Sequence, residues 1–182
     1  MSDNSAPDEK KPWMSSNWGL FRHCPDRYPI DVFSYTREAT HCFHERRFLA
    51  CIAMASTAVE IILNRDRRLR ALPNFKSSDG WAYLSNRTLR IARDNGLPSN
   101  ALLSSGEDLG SQKPIVFVEI RNKVAHGDVA HFVSDLSDYD PGAERIADEQ
   151  ALKMRTFVSE WFNTAPDVQE GHIRNNRWPD AV

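Results

Sequence analysis

The sequence predicts an all-α fold, an up-down bundle of about five helices, and three observations carry that expectation. Apolar side chains recur three and four residues apart through most of the chain, the period of a helix with one buried face. Residues that start or stop helices bracket these segments, among them Asp31, Gly96, Pro114 and Gly127. One segment, from Arg46 to about Asp66, is apolar over most of its circumference and suits the centre of a bundle. With 182 residues, 41% hydrophobic and 26% charged, the chain has the size and balance of one globular domain.

Residues 1–12 mix Asp, Glu and Lys without an apolar run, which reads as a solvated leader and not a secretory signal. Residues 13–29 carry Trp13, Trp18, Pro25 and Pro29 with no steady period, and read as an irregular arm laid on the domain. The expected division is therefore leader and arm over 1–30, helical domain over 31–164, and extended tail over 165–182. Asp31 is placed to cap a first helix, about Val32 to His44, with Val32, Tyr35, Ala39, Cys42 and Phe43 on one side. The central helix follows, its stripe formed by Phe48, Cys51, Ile52, Ala55, Ala58, Val59 and Ile62. Arg65, Arg67, Arg68 and Arg70 stand at its C-terminal end, where cations suit the helix dipole. They read as a solvated helix end, with RNA steering as the alternative.

A loop through Pro73 and Gly80 leads to a third helix, about Trp81 to Asn95, stopped by Gly96 and Pro98. Residues 97–113 read as a loop with a short helical turn. Pro114 fits the first position of the next helix, which ends at Ala125 or His126 with Gly127 as a left-handed cap. Ile115-Val116-Phe117-Val118 alone would favour a strand, but Phe117, Ile120 and Val124 continue at helical spacing. The last helix, about Ala143 to Asn163, sets Ile146, Met154, Phe157, Val158 and Trp161 on one side. Trp161 and Phe162 read as core rather than as a platform for bases.

A net charge of -2 argues against a protein that coats DNA through a broad basic field, yet leaves room for a compact nucleic-acid site. The apolar run Phe48 to Leu63 is interrupted by Ser56, Thr57 and Glu60, so no membrane span and a cytoplasmic location are expected. Cys24, Cys42 and Cys51 are an odd number and read as reduced thiols. His23, Cys24, His41, Cys42 and His44 lack the second half of a zinc site, and neither metal nor other cofactor is expected.

The residues that carry chemistry stand at 121–127, Arg-Asn-Lys-Val-Ala-His-Gly. Arg121 and His126 are about 140° apart around a helix and ~7.5 Å along it, so they do not share a face. Asn122 and His126, four apart, do. The set can act together only on a cleft beside the helix end. A phosphate suits that cleft: Arg offers a planar donor fork, Asn orients, and imidazole exchanges protons near neutral pH. The plainer alternative is a solvated helix end with His126 on the dipole. Glu60, an acid on an apolar helix, needs a partner, and the Arg121 region is the expected one.

Arg121, Asn122 and His126 match the R-x4-H motif, with a polar residue directly after the Arg, and the chain here resembles the HEPN (higher eukaryotes and prokaryotes nucleotide-binding) family. The likeness extends over about Tyr35 to Asp128, through Tyr35-Thr36-Arg37-Glu38-Ala39, Ala58-Val59-Glu60-Ile61-Ile62-Leu63-Asn64 and Gly96-Leu97-Pro98, to uncharacterised bacterial members. It implies an up-down bundle, a homodimer with two motifs across one groove, and metal-independent endoribonuclease activity in a toxin or phage-defence setting. On that resemblance Arg121, Asn122 and His126 are catalytic, Glu60 supports them, RNA is the substrate, and a neutralising or operon-encoded protein is a partner. Many members of the family bind or dimerise without cutting RNA, so a non-catalytic module for protein, nucleotide or RNA stands as the alternative.

Overall fold

The computed structural model describes residues 30–73, 75–77, 80–130 and 140–164. Of the expected leader and arm over 1–30 only residue 30 is among them, as the first residue of a helix, and the expected tail over 165–182 lies outside them. Among the described residues the protein is all-α, with six α-helices, one 3-10 turn and no strand.

Helices α1 (Ile30–His44) and α2 (Phe48–Arg65) form an antiparallel hairpin. Its turn is tight because Arg46 adopts φ 57, the left-handed conformation that ends many helices. The N–H groups of Arg46 and Arg47 then return to the carbonyls of Phe43 and Cys42, which would otherwise be unpaired. Phe43 and Phe48 meet edge to face beside the turn, their centroids 5.6 Å apart. At the open end of the hairpin Arg65 pairs with Asp31. Asp31 thus lies inside the first turn of α1 rather than capping it, because the helix begins one residue before it.

The apolar circumference of α2 has the expected consequence. Cys51, Ile52, Ala55, Ala58, Val59, Ile62 and Leu63 have no exposed surface, and the helix touches α1 and the two helices nearest the C-terminus. Truncating Ile52 or Ile62 to Ala would cost about 2–5 kcal/mol through lost burial and the cavity left behind. Among the described helices α2 alone is long and apolar enough to cross a bilayer, and most of it is packed inside the protein. Burial pushes the Cys51 thiol well up and raises the Cys42 thiol too, which disfavours the thiolate at both.

Asp66 interrupts the helix. Its backbone is extended, and its carboxylate accepts from the Arg68 N–H, so one turn of a separate helix, α3 (Arg67–Arg70), starts there. This break, absent from the sequence reading, raises the helix count from about five to six. Helix α6 (Pro141–Thr164) runs in the same direction as α2. Its Asp148 lies near Cys51, and its Trp161 Nε1–H donates to Asp66 at 2.8 Å. Asp140 caps α6 by accepting from the Gly142 and Ala143 N–H groups, with Pro141 in the first helical position. Met154, Phe157 and Val158 face the core, and Trp161 is core as expected.

Candidate functional site

Two elements are brought to the second half of α2 by hydrogen bonds from its polar residues. The first is an extended strip, residues 81–84, followed by α4 (Asn86–Asp94). Asn64 binds both backbone groups of Ala82, donating to its carbonyl at 2.9 Å and accepting from its N–H at 2.8 Å. One turn earlier Glu60 Oε1 accepts from the Leu84 N–H at 3.1 Å. These bonds hold the strip out of the helix that the apolar spacing predicts from Trp81. The helix starts only at Asn86, where Ser85 and Thr88 form a reciprocal capping box. One signal was in the sequence, a Ser three residues before Thr88; Trp81-Ala82-Tyr83-Leu84 is apolar throughout and carries no alternation.

The second element is α5 (Val116–His126). Its start is fixed by side chains from before it. Asn86 accepts from the Ile115 N–H at 2.9 Å and donates to the Lys113 carbonyl, and Glu107 Oε1 accepts from the Val116 N–H at 2.6 Å. With its N–H held by Asn86, Ile115 stays extended, and Pro114 precedes the helix instead of opening it. The residues that favoured a strand by composition enter α5 from Val116 onward. Phe117, Val118 and Ile120 are buried, and Arg121 lies one turn beyond Phe117 on the inward side.

Arg121 accordingly reaches α2. Its Nη2 donates to Glu60 Oε1 at 2.5 Å, the oxygen that also accepts from Leu84. Its Nη1 donates to Asn122 Oδ1 at 3.1 Å. The guanidinium is therefore held from two sides by Glu60 and Asn122, while its side chain remains 22% exposed. Donors of the planar fork remain for another acceptor. The pairing of Glu60 with Arg121, expected from the cost of an unpartnered buried carboxylate, is present.

His126 is placed differently. It is the last residue of α5, exposed, one turn beyond Asn122 on the same face. No hydrogen bond or ion pair joins it to Arg121 or Asn122 among the described residues. Gly127 follows with φ 73 as the left-handed cap, and its N–H and that of Asp128 return to the carbonyls of Val124 and Lys123. The fold thus assembles Glu60, Arg121 and Asn122 and leaves His126 at the rim, facing solvent. No group of three or more His, Cys, Asp and Glu placed to hold a metal ion occurs among the described residues.

No protein-family model matches the chain, and neither the curated proteins nor the solved structures contain a significant match to it.

Proposed function

We propose that this protein is a metal-independent endoribonuclease of the HEPN type, built on an up-down bundle and acting as a homodimer on RNA in the cytoplasm. The observation that carries the reading is the Glu60–Arg121–Asn122 chain. It fixes a half-buried guanidinium at a helix end, one turn from an exposed imidazole. An arginine so held is preorganised to stabilise charge developing on a phosphate. His126 exchanges the proton in the same cleft.

The reaction attributed to these groups begins with the RNA 2'-oxygen attacking the adjacent phosphorus as its proton passes to a base. Arg121 steadies the negative charge on the phosphoryl oxygens, with Asn122 and Glu60 holding its fork in plane. The bond from phosphorus to the 5'-oxygen then breaks, and that oxygen leaves with a proton from an acid. The products are a 2',3'-cyclic phosphate and a 5'-hydroxyl. One His126 cannot stand on both sides of the phosphorus, and a two-fold pair of motifs supplies the second. A toxin or phage-defence setting, with a neutralising or operon-encoded partner, fits such an activity.

The test is RNA cleavage by purified protein in excess chelator, with the ends of the products identified. Cyclic phosphate ends that disappear with His126→Ala are expected. Equal activity of wild type and His126→Ala would overturn the reading. A second reading is favoured by one observation: among the described residues Arg121 bonds to Glu60 and Asn122, and no hydrogen bond joins it to His126. It makes the protein a non-catalytic helical module that binds protein, nucleotide or RNA through the same groove, and it requires binding that survives loss of His126.

A further inference from the structure

Only three large hydrophobic side chains are well exposed among the described residues, and two of them, Trp81 at 41% and Tyr83 at 50%, stand on the strip beside Arg121. Their exposure follows from the backbone of the strip. Alternate residues of an extended chain point to opposite sides. Ala82 and Leu84 are turned inward, 1% and 3% exposed, so Trp81 and Tyr83 are turned out. The strip cannot roll to bury them, because Asn64 holds both backbone groups of Ala82 and Glu60 holds the Leu84 N–H. Two rings on a fixed backbone are presented at little entropic cost, as a binding platform requires.

The neighbouring charges indicate what the platform takes. The oxygen of Glu60 that anchors Leu84 also holds Arg121, so strip and guanidinium share one atom as their tether. Arg65, directly after Asn64, is already paired with Asp31, but α4, which continues the strip, exposes Arg87 and Arg90, and Arg70 is exposed at the end of α3. Arg70, Arg87 and Arg90 have no carboxylate partner among the described residues. Aromatic rings among cations suit a polyanion with flat faces better than an apolar protein surface. Residues 81 and 83 are about 6.6 Å apart along an extended chain, close to twice the ~3.4 Å rise of stacked bases.

We propose that Trp81 and Tyr83 are a nucleobase-stacking platform that selects single-stranded RNA for the site at Arg121. The proposal rests on the RNA reading of that site and adds the substrate class. In a duplex the base faces are covered by their neighbours, whereas unpaired nucleotides can be splayed onto the rings. A phosphate held at Arg121 leaves the adjoining bases within reach of the strip.

The experiment measures binding of a labelled single-stranded oligouridylate and of a hairpin duplex of equal length, by fluorescence anisotropy over a salt series. Wild type, Trp81→Ala, Tyr83→Ala, Trp81→Phe and Arg121→Ala are compared, with melting curves to confirm folding. Each ring-to-Ala change should weaken single-strand binding about tenfold. It should spare the duplex and leave the salt slope unchanged, while Trp81→Phe retains most of the affinity. Arg121→Ala should instead lower the slope by about one. Ring variants that bind like wild type overturn the platform, even where RNA cleavage is intact. Ring variants that convert a dimer to monomer in sedimentation also overturn it, assigning the strip to a second copy of the chain. Ring-dependent binding without any cleavage upholds the platform and removes the ribonuclease reading. Wild-type protein that binds no RNA overturns both.

Discussion

Two carboxylates near the end of α2, Glu60 and Asp66, each hold an arginine, and the way they do so separates structure from chemistry. Asp66 is 5% exposed, and its two oxygens take the N–H of Arg68, the Nε and Nη2 of the same guanidinium, and the Nε1–H of Trp161. Arg68 Nη1 goes on to the Gly96 carbonyl at 2.9 Å. Both carboxylate oxygens and all three guanidinium nitrogens in that knot are bonded, and it ties α2, α3, α6 and the end of α4 together. Glu60 accepts two bonds on one oxygen and none on the other among the described residues. Its arginine keeps donors for a further acceptor. A saturated pair can only hold, whereas an unsaturated one at a helix end can also bind.

The difference should appear first in stability. Removing the carboxylate in Asp66→Ala leaves a part-buried guanidinium and a buried indole N–H without their acceptor, at a cost of about 3 kcal/mol. Melting followed by circular dichroism should drop by roughly 10 °C, at ~2–4 °C per kcal/mol for a chain of this size. Activity per folded molecule should not change. A melting point within a degree or two of wild type would mean that the knot is not structural. Acid sharpens the point. Burial pushes the Asp66 carboxyl up, but the hydrogen bonds and charge of Arg68, with the Trp161 bond, outweigh it and hold the carboxyl below its ordinary value. A depressed folded-state value means stability that is present above ~3.9 and is lost as the pH falls through the folded-state value. Denaturant titrations below pH 4 should therefore show a shallower acid loss in Asp66→Asn than in wild type.

At the other pair the order reverses. His126→Ala should lower kcat for RNA cleavage by about a hundredfold or more, yet shift stability by less than ~0.5 kcal/mol, because the side chain is exposed and makes no bond among the described residues. Glu60→Gln should lie between the two. The amide still accepts from Leu84, but the charge that orients Arg121 is gone. A loss of about 1–2 kcal/mol in stability and about tenfold in kcat is expected. Measuring kcat and KM separately decides the mechanism: an orienting role lowers kcat, whereas a purely binding role raises KM alone.

Much of this arrangement was legible before any coordinates. The apolar circumference of α2 and the Gly127 cap follow from burial and backbone chemistry that act locally, and the cost of a bare carboxylate on an apolar helix called for a cation even though Arg121 stands 61 positions on. What could not be read depends on side chains meeting from far apart in sequence. Asn64 and Glu60 pull residues 81–84 out of the helix that their apolar spacing invites, with partners 18 and 24 positions away. Asn86 and Glu107 shift the start of α5 past Pro114 in the same way. The break at Asp66 was hidden for a related reason: its value lies in Trp161, 95 positions on. The proposed pairing of His126 with a second copy of the motif would lie between molecules, where one chain carries no signal.

The smallest expected effect concerns the cap that ends α5 beside His126. Gly127 has φ 73, a conformation that an L side chain adopts only under strain, and a Cβ built there meets nothing within 4 Å. Gly127→Ala should therefore cost only about 1 kcal/mol, all of it backbone. Its consequence for the site depends on how the chain relieves that strain. Because Gly127 and Asp128 close back on Val124 and Lys123, a shift in φ at the cap moves the last turn of the helix, which carries His126. The turn carrying Arg121 is held by Glu60 and stays. If His126 acts on a phosphate bound at Arg121, Gly127→Ala should lower kcat more than about 1 kcal/mol of stability explains, and Gly127→Asn, which tolerates the left-handed region, should restore most of it. Proportionate losses in both quantities would return the cap, and His126 with it, to the structural side of the comparison.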